Sequence, residues 1–174
     1  MNALEQILHR RSIRSFTAEV PSRELIEQIT EAGTYAPSGR NNQSGLIIAV
    51  TNRELRDRLS AMNNQVWGGE EGFDPFYGAP AMLIVLAKKD SPHRHYDGSL
   101  IMGNMMLAAD ALGLGTCWIH RAKEVFESEE GKAILREIGI TEEYEGIGNL
   151  ALGYPNGKHP TPRPRKENYV YIVE

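Results

Sequence analysis

The segment His9-Arg10-Arg11-Ser12-Ile13-Arg14-Ser15-Phe16 crowds three arginines and two serines into one short stretch that holds no acid. Guanidinium and hydroxyl donors gathered in this way form an anion site, and the planar guanidinium fork suits phosphate in particular. A second basic stretch, Arg163-Pro164-Arg165-Lys166, lies at the far end of the chain. A phosphate gripped from both ends explains why a chain of net charge -4 concentrates arginine at these two places, although either stretch alone reads as solvated surface charge.

Other chemistry is thinly represented. There is no Gly-x-Ser-x-Gly elbow, no phosphate loop of the Walker type and no His-Glu-x-x-His, and Gly113-Leu114-Gly115 lacks the third glycine of a dinucleotide fingerprint. Cys117, between Thr116 and Trp118, reads as a small buried filler rather than a nucleophile. His93, His95 and Asp97 have the donor types of a metal site, but their place in a polar turn makes them surface residues, so no metal is expected. What remains is an anion clamp, a polar loop from Pro37 to Gln43, and no obvious acid, base or nucleophile. That is the profile of an enzyme whose reactive atoms belong to a phosphorylated cofactor.

These residues need a scaffold, and the chain has the makings of one domain over residues 1–174, with 41% hydrophobic and 24% charged residues. Leu100 to Leu114 is the longest apolar stretch, yet Asn104, Asp110 and two glycines leave it short of the ~20 apolar residues of a membrane span. The N-terminus lacks an export signal, and a single cysteine suits the cytoplasm. The acidic balance argues against nucleic acid as a partner.

Asn2 and Glu5 form a capping-box pattern that starts a first helix, and the basic cluster ends it. Pro21-Ser22 opens a second, stopped at Gly33, and the loop from Tyr35 to Gly45 leads into a strand from Leu46 to Val50. Asn52 caps a third helix through Met62, and residues 63–78 form a glycine-rich, aromatic loop that is either a lid or packed by its own rings. Ala81 to Ala87 is a buried strand, followed by an apolar helix capped by Asp97 and closed at Gly113. Its apolar residues on nearly every side call for burial in a homodimer core, with a monomer core as the alternative. A short strand follows Gly115, then a helix from Glu124 to Ile138 bent near Gly131, a strand from Asn149 to Gly153, and a proline-rich arm over 155–174. The alternating Tyr169-Val170-Tyr171-Ile172-Val173 could add a strand at a sheet edge, its own or the partner's.

Four segments occur in a telling order: Arg10-Arg11-Ser12-Ile13-Arg14-Ser15-Phe16, Ala36-Pro37-Ser38-Gly39-Arg40-Asn41-Asn42-Gln43, Phe76-Tyr77-Gly78-Ala79-Pro80 and Gly113-Leu114-Gly115-Thr116-Cys117-Trp118. With the basic arm, they resemble the FMN-dependent nitroreductase family over nearly the whole chain. The resemblance implies an α+β fold with a mostly antiparallel sheet flanked by helices, and an intertwined homodimer with FMN at its interface and the arm wrapping the partner. By position, Arg10 and Ser12, with Arg11 beside them, would bind the phosphate and ribityl end, and Arg163 or Arg165 would close on the phosphate. Arg14 would lie at the flavin N1 and C2 carbonyl, where a cation stabilises the charge that reduction leaves.

The resemblance further places Pro37, Ser38 and Gly39 of the other subunit against the ring, Asn41 or Asn64 on its pyrimidine edge, and the backbone of Trp118, Ile119 and His120 at N5 and O4. NADH or NADPH would be the electron donor, and a small molecule such as a nitroaromatic or quinone the acceptor. His120-Arg121 could meet a nicotinamide phosphate or pair with Glu124 on the surface. One departure stands out: Gln43 is followed by Ser44-Gly45 where such proteins commonly have Pro-Trp, which alters the pocket wall. A different flavin reaction on the same fold, or flavin binding without turnover, are the rival readings.

Overall fold

The computed structural model describes residues 1–174, and its centre is strand β2 (Ala81–Lys88), buried along nearly its whole length. Period-two alternation sends Met82, Ile84 and Leu86 to one face of the sheet, where they meet Leu59, Phe76, Phe126 and Ile134. Ala81, Leu83 and Val85 go to the other, against Ile29, Met102 and Met105. A strand covered on both faces needs a continuous apolar run, which is why its sequence shows no polar alternation.

Around it the sheet runs β1-β2-β4-β3, with β1 (Gly45–Val50), β3 (Gly115–Ile119) and β4 (Tyr144–Gly153), every pairing antiparallel. The helices are α1 (Ala3–His9), α2 (Arg23–Thr34), α3 (Arg53–Trp67), α4 (Arg94–Ala111), α5 (Ala122–Glu127) and α6 (Glu129–Glu137). This is the α+β architecture expected, and the Asn2/Glu5 capping box that opens α1 is complete.

Several boundaries differ from the sequence reading. Helix α3 continues past Met62 to Trp67 and stops at Gly68, whose left-handed φ of 72° suits glycine, so the following loop is shorter than 63–78. Helix α4 begins at Arg94 with His93 as its cap, a turn before Asp97, which is buried inside the helix. The bend expected at Gly131 is a full break at Ser128, whose Oγ accepts from Gly131 N at 3.0 Å and caps α6. Helix α2 likewise runs past Gly33 to Thr34. Strand β4 starts at Tyr144 rather than Asn149, because Gly146 and Gly148 hide its pattern. Gly148 has a packing reason, since a Cβ there would come within 2.8 Å of the Trp118 ring.

The tail Tyr169 to Val173 forms no strand with its own sheet and is exposed. Strand β3 is flanked instead by the N-terminal segment, through a parallel bridge between Ser12 and Thr116, while β1 keeps β2 on one side only.

Candidate functional site

The basic segment is laid along β3 and the chain just past β4 by its backbone. Ile13 N donates to Thr116 O at 2.9 Å, Thr17 N to Tyr154 O at 2.9 Å, and Asn156 N to Ser15 O at 2.9 Å. Ile13 is the buried plug, seated on Gly115 where a Cβ would come within 2.7 Å of it. The segment from Ser12 to Ser15 also forms one wall of a cleft of about 240 Å³, with Asn156, Gly157, Lys158 and Pro160 opposite.

Arg10 Nη1 is buried without a protein partner. Burying a guanidinium hydrogen with no acceptor is costly, so this atom marks a place for an anionic or carbonyl ligand. Arg11 behaves differently: its Nη1 turns back to the carbonyls of Leu8 (2.8 Å) and Arg10 (2.7 Å) at the end of α1, although its Nε is unpartnered. Burial pushes the Cys117 thiol up, opposed by the nearby Arg14, Ser12 and Arg10, so it stays protonated at neutral pH and is no nucleophile. Arg14 also lies over the Tyr77 ring, 5.9 Å from its centroid, which ties it to the loop after α3.

That loop is pinned by Asp74, which accepts from Ser60 Oγ (2.6 Å), Phe76 N (2.9 Å), Gly78 N (2.8 Å) and the buried Arg56. Burial alone would raise its carboxyl, but these donors outweigh it and hold the group below the usual carboxylate range. Phe73 packs on Trp67 at the end of α3, with centroids 5.1 Å apart, so the loop is held down on α3.

The Pro37 loop is built around the buried carboxylate of Asp97, which accepts from Gly39 N (2.9 Å) and Ser44 Oγ (3.3 Å). Arg40, Asn41 and Gln43 have φ of 54°, 56° and 50°, each a left-handed conformation that costs about 1 kcal/mol in a non-glycine residue. Asp97 and the bond from Gln43 N to Ser38 Oγ (3.1 Å) hold that strain in place. Asp97→Ala is therefore expected to lower stability by about 2–3 kcal/mol in urea unfolding, because it strips two donors of a charged acceptor. Gly45 leaves room that Ile101 fills, so the Ser44-Gly45 departure belongs to this packing.

Pro37 and Ser38 line a second cleft of about 660 Å³ with Gln43, Leu46, Asp97 and Ile101. Gly39 and Asn41 lie on the turn beside it. Within one chain this cleft and the Arg14 cleft share no lining residue.

At the end of β3, the Ile119 and His120 carbonyls are held from behind. Asn63 Nδ2 donates to His120 O at 2.8 Å, and Asn149 Nδ2 lies 3.4 Å from both oxygens. Asn64 Nδ2 donates to Glu70 O at 2.8 Å, which leaves the buried Oδ1 without a partner, like the buried Nε1 of Trp118. Arg121 lies 5.9 Å over Trp67, with no ion pair to Glu124. Arg163 and Arg165 lie on the exposed arm, where the Arg165 guanidinium bonds Arg163 O at 2.7 Å. His93, His95 and Asp97 serve separate partners: His93 packs on Gly39, His95 bonds Glu145, and Asp97 holds the Pro37 loop.

Sequence reasoning missed Asp97, Asp74, Asn63 and Asn149 as the residues that shape these walls. Asp97 carried only a helix-cap signal, and the partners of all four lie too far along the chain or in the backbone to leave a local pattern.

Comparison with known proteins assigns the fold to a family. A protein of Archaeoglobus fulgidus, provisionally named an NADH dehydrogenase/NAD(P)H nitroreductase, is 34% identical over 87% of this chain and 84% of its own. The FMN reductase (NADPH) of Bacillus subtilis is 27% identical over 91% of this chain and 69% of its own. A nitroreductase from Bacteroides fragilis, solved with bound FMN, superposes with a TM-score of 0.88 at 30% identity over the full length of both chains. The nitroreductase family pattern itself spans residues 7–154, from the helix before the arginine cluster to the end of the sheet, and this chain is a member of that family.

Proposed function

We propose that the protein is an FMN-dependent oxidoreductase of the cytoplasm that takes hydride from NADH or NADPH and reduces nitroaromatics, quinones or similar small acceptors in a ping-pong cycle. The carrying observation is the buried Arg10 Nη1 that no protein group satisfies, on the same short segment as Ser12 and Arg14. The FMN of the Bacteroides fragilis relative and the NADPH named for the Bacillus subtilis one support the chemistry.

FMN, when bound, supplies two-electron transfer that no side chain here could perform. Arg10 and Ser12 would hold its phosphate, with Arg163 or Arg165 closing from the arm. Arg14, steadied by Tyr77, would stabilise negative charge at the pyrimidine edge. Asn64 offers an unpaired buried Oδ1 for a ring N–H, and the anchored backbone of Trp118 to His120 would border the opposite edge.

The functional unit is a homodimer on this reading. The Pro37 to Gly39 wall and the Arg14 cleft are apart within one chain, so one copy completes the other's site. Leu4, Ile7 and Leu8 of α1 are more than half exposed, Leu100 on α4 is 46% exposed, and the apolar tail is free while β1 has an open edge.

An absorption spectrum of the protein under argon tests the activity. A flavin band that bleaches with NADH or NADPH and returns with a quinone is expected; a bound flavin that no reduced nicotinamide bleaches would refute the donor. Arg14→Ala is expected to weaken FMN binding and slow reduction about 10- to 100-fold, and unchanged stopped-flow reduction rates would remove the role given to Arg14.

A further inference from the structure

Outside these clefts, three potential metal ligands from distant parts of the chain come together. His9 ends α1, Asp110 lies in the last turn of α4, and His159 is on the arm. Their ligand atoms all lie within 4.8 Å of one another. His9 Nδ1 is 3.0 Å from Asp110 Oδ2, the separation of two ligands that meet at about a right angle on an ion with ~2.1 Å bonds. The His159 ring stacks on His9 with centroids 4.2 Å apart.

We propose that His9, Asp110 and His159 bind a divalent transition-metal ion of the zinc type. Two imidazoles and a carboxylate are a borderline donor set that favours zinc and its neighbours over magnesium or calcium. The Asp110 side chain is only 10% exposed, and Gln6 Nε2 donates to its Oδ2, the same oxygen that faces His9, which fixes the direction of the carboxylate. His159, on the exposed arm, turns from its stack to complete the set, and water fills the open positions.

The ion would act as a clasp. His9 precedes Arg10, and His159 precedes Arg163 by four residues, so a bond across them fixes the start of the arm against the basic segment. This inference is independent of the flavin reading, because neither the ligands nor the test involves flavin.

The test is titration of the chelator-treated full chain with Zn²⁺ by calorimetry and with Co²⁺ by visible absorption, beside His159→Ala, whose exposed position leaves folding intact. One ion per chain is expected, bound at least about tenfold more weakly by the variant. Zn²⁺ should also slow proteolytic trimming of the arm in the parent and not in His159→Ala. Absence of binding, or equal affinity and equal trimming in the two proteins, overturns the proposal.

Discussion

Arg10→Ala is expected to fold as stably as the parent and to bind FMN on the order of 100-fold more weakly, since a charged, paired phosphate contact contributes about 1.5–3 kcal/mol. The asymmetry between folding and binding follows from the unpartnered Nη1: folding leaves it unsatisfied, so its removal gives up no bond there. Riboflavin, which lacks the phosphate, separates this role from general packing of the cleft. Its affinity should be the same in parent and variant, measured by fluorescence quenching. Equal FMN affinity in the two proteins would mean that Arg10 does not hold the phosphate.

Arg56→Ala should be the most destabilising single change, at about 3–5 kcal/mol in urea unfolding, because it leaves a half-buried carboxylate without its cation. Arg56 is 4% exposed and donates to Ala79 O (2.9 Å), Asp57 (2.9 Å) and Asp74. Its loss frees the loop that carries Tyr77 and so loosens Arg14 as well.

Asp74 adds a pH signature to that network. Its folded carboxyl titrates below the unfolded value of about 3.9, so its contribution is present in full above that pH and is lost as pH falls through the folded pKa. The stability gap between the parent and Asp74→Asn should therefore be constant from pH 6 to pH 8 and close in acid, below about pH 4. A gap that widened on acidification would contradict the assignment of Asp74 as the ionised partner.

The Arg56–Asp74 pair also answers a question that the sequence left open. Residues 63–78 read equally well as a lid or as a self-packed loop, since both are rich in glycine and aromatics. The first part is a continuation of α3, and the rest is gathered on one carboxylate by four donors. The polar Asn63-Asn64-Gln65 gave no apolar period to extend the helix reading, although Asn63 and Asn64 are buried because they bond backbone carbonyls rather than because they are apolar.

Local signals were legible wherever their partners lie within a turn or two. Asn2 and Glu5 cap α1, Ser22 caps α2, Asn52 caps α3, and the apolar run of β2 reports burial on two faces. The arginine cluster with its serine was equally plain as a concentration of cationic donors, although which of them share a face depends on the fold, and Arg11 turns back to α1. Those local signals, read with the four ordered segments, were enough for the α+β fold class and for naming the arginine cluster as a candidate.

Tertiary structure decided the rest. Asp97 has the residue type and approximate position of a helix cap, yet its oxygens serve Gly39 and Ser44, more than fifty residues earlier. The early half of β4 is a strand because Gly148 admits the Trp118 ring, and its glycines carry no strand propensity of their own. His9, Asp110 and His159 are scattered in sequence and meet only where α1, α4 and the arm converge. Caps and periodicities act through bonds within a turn, whereas a buried polar group takes whichever partner the packing brings to it, and that choice is made only when the layers close.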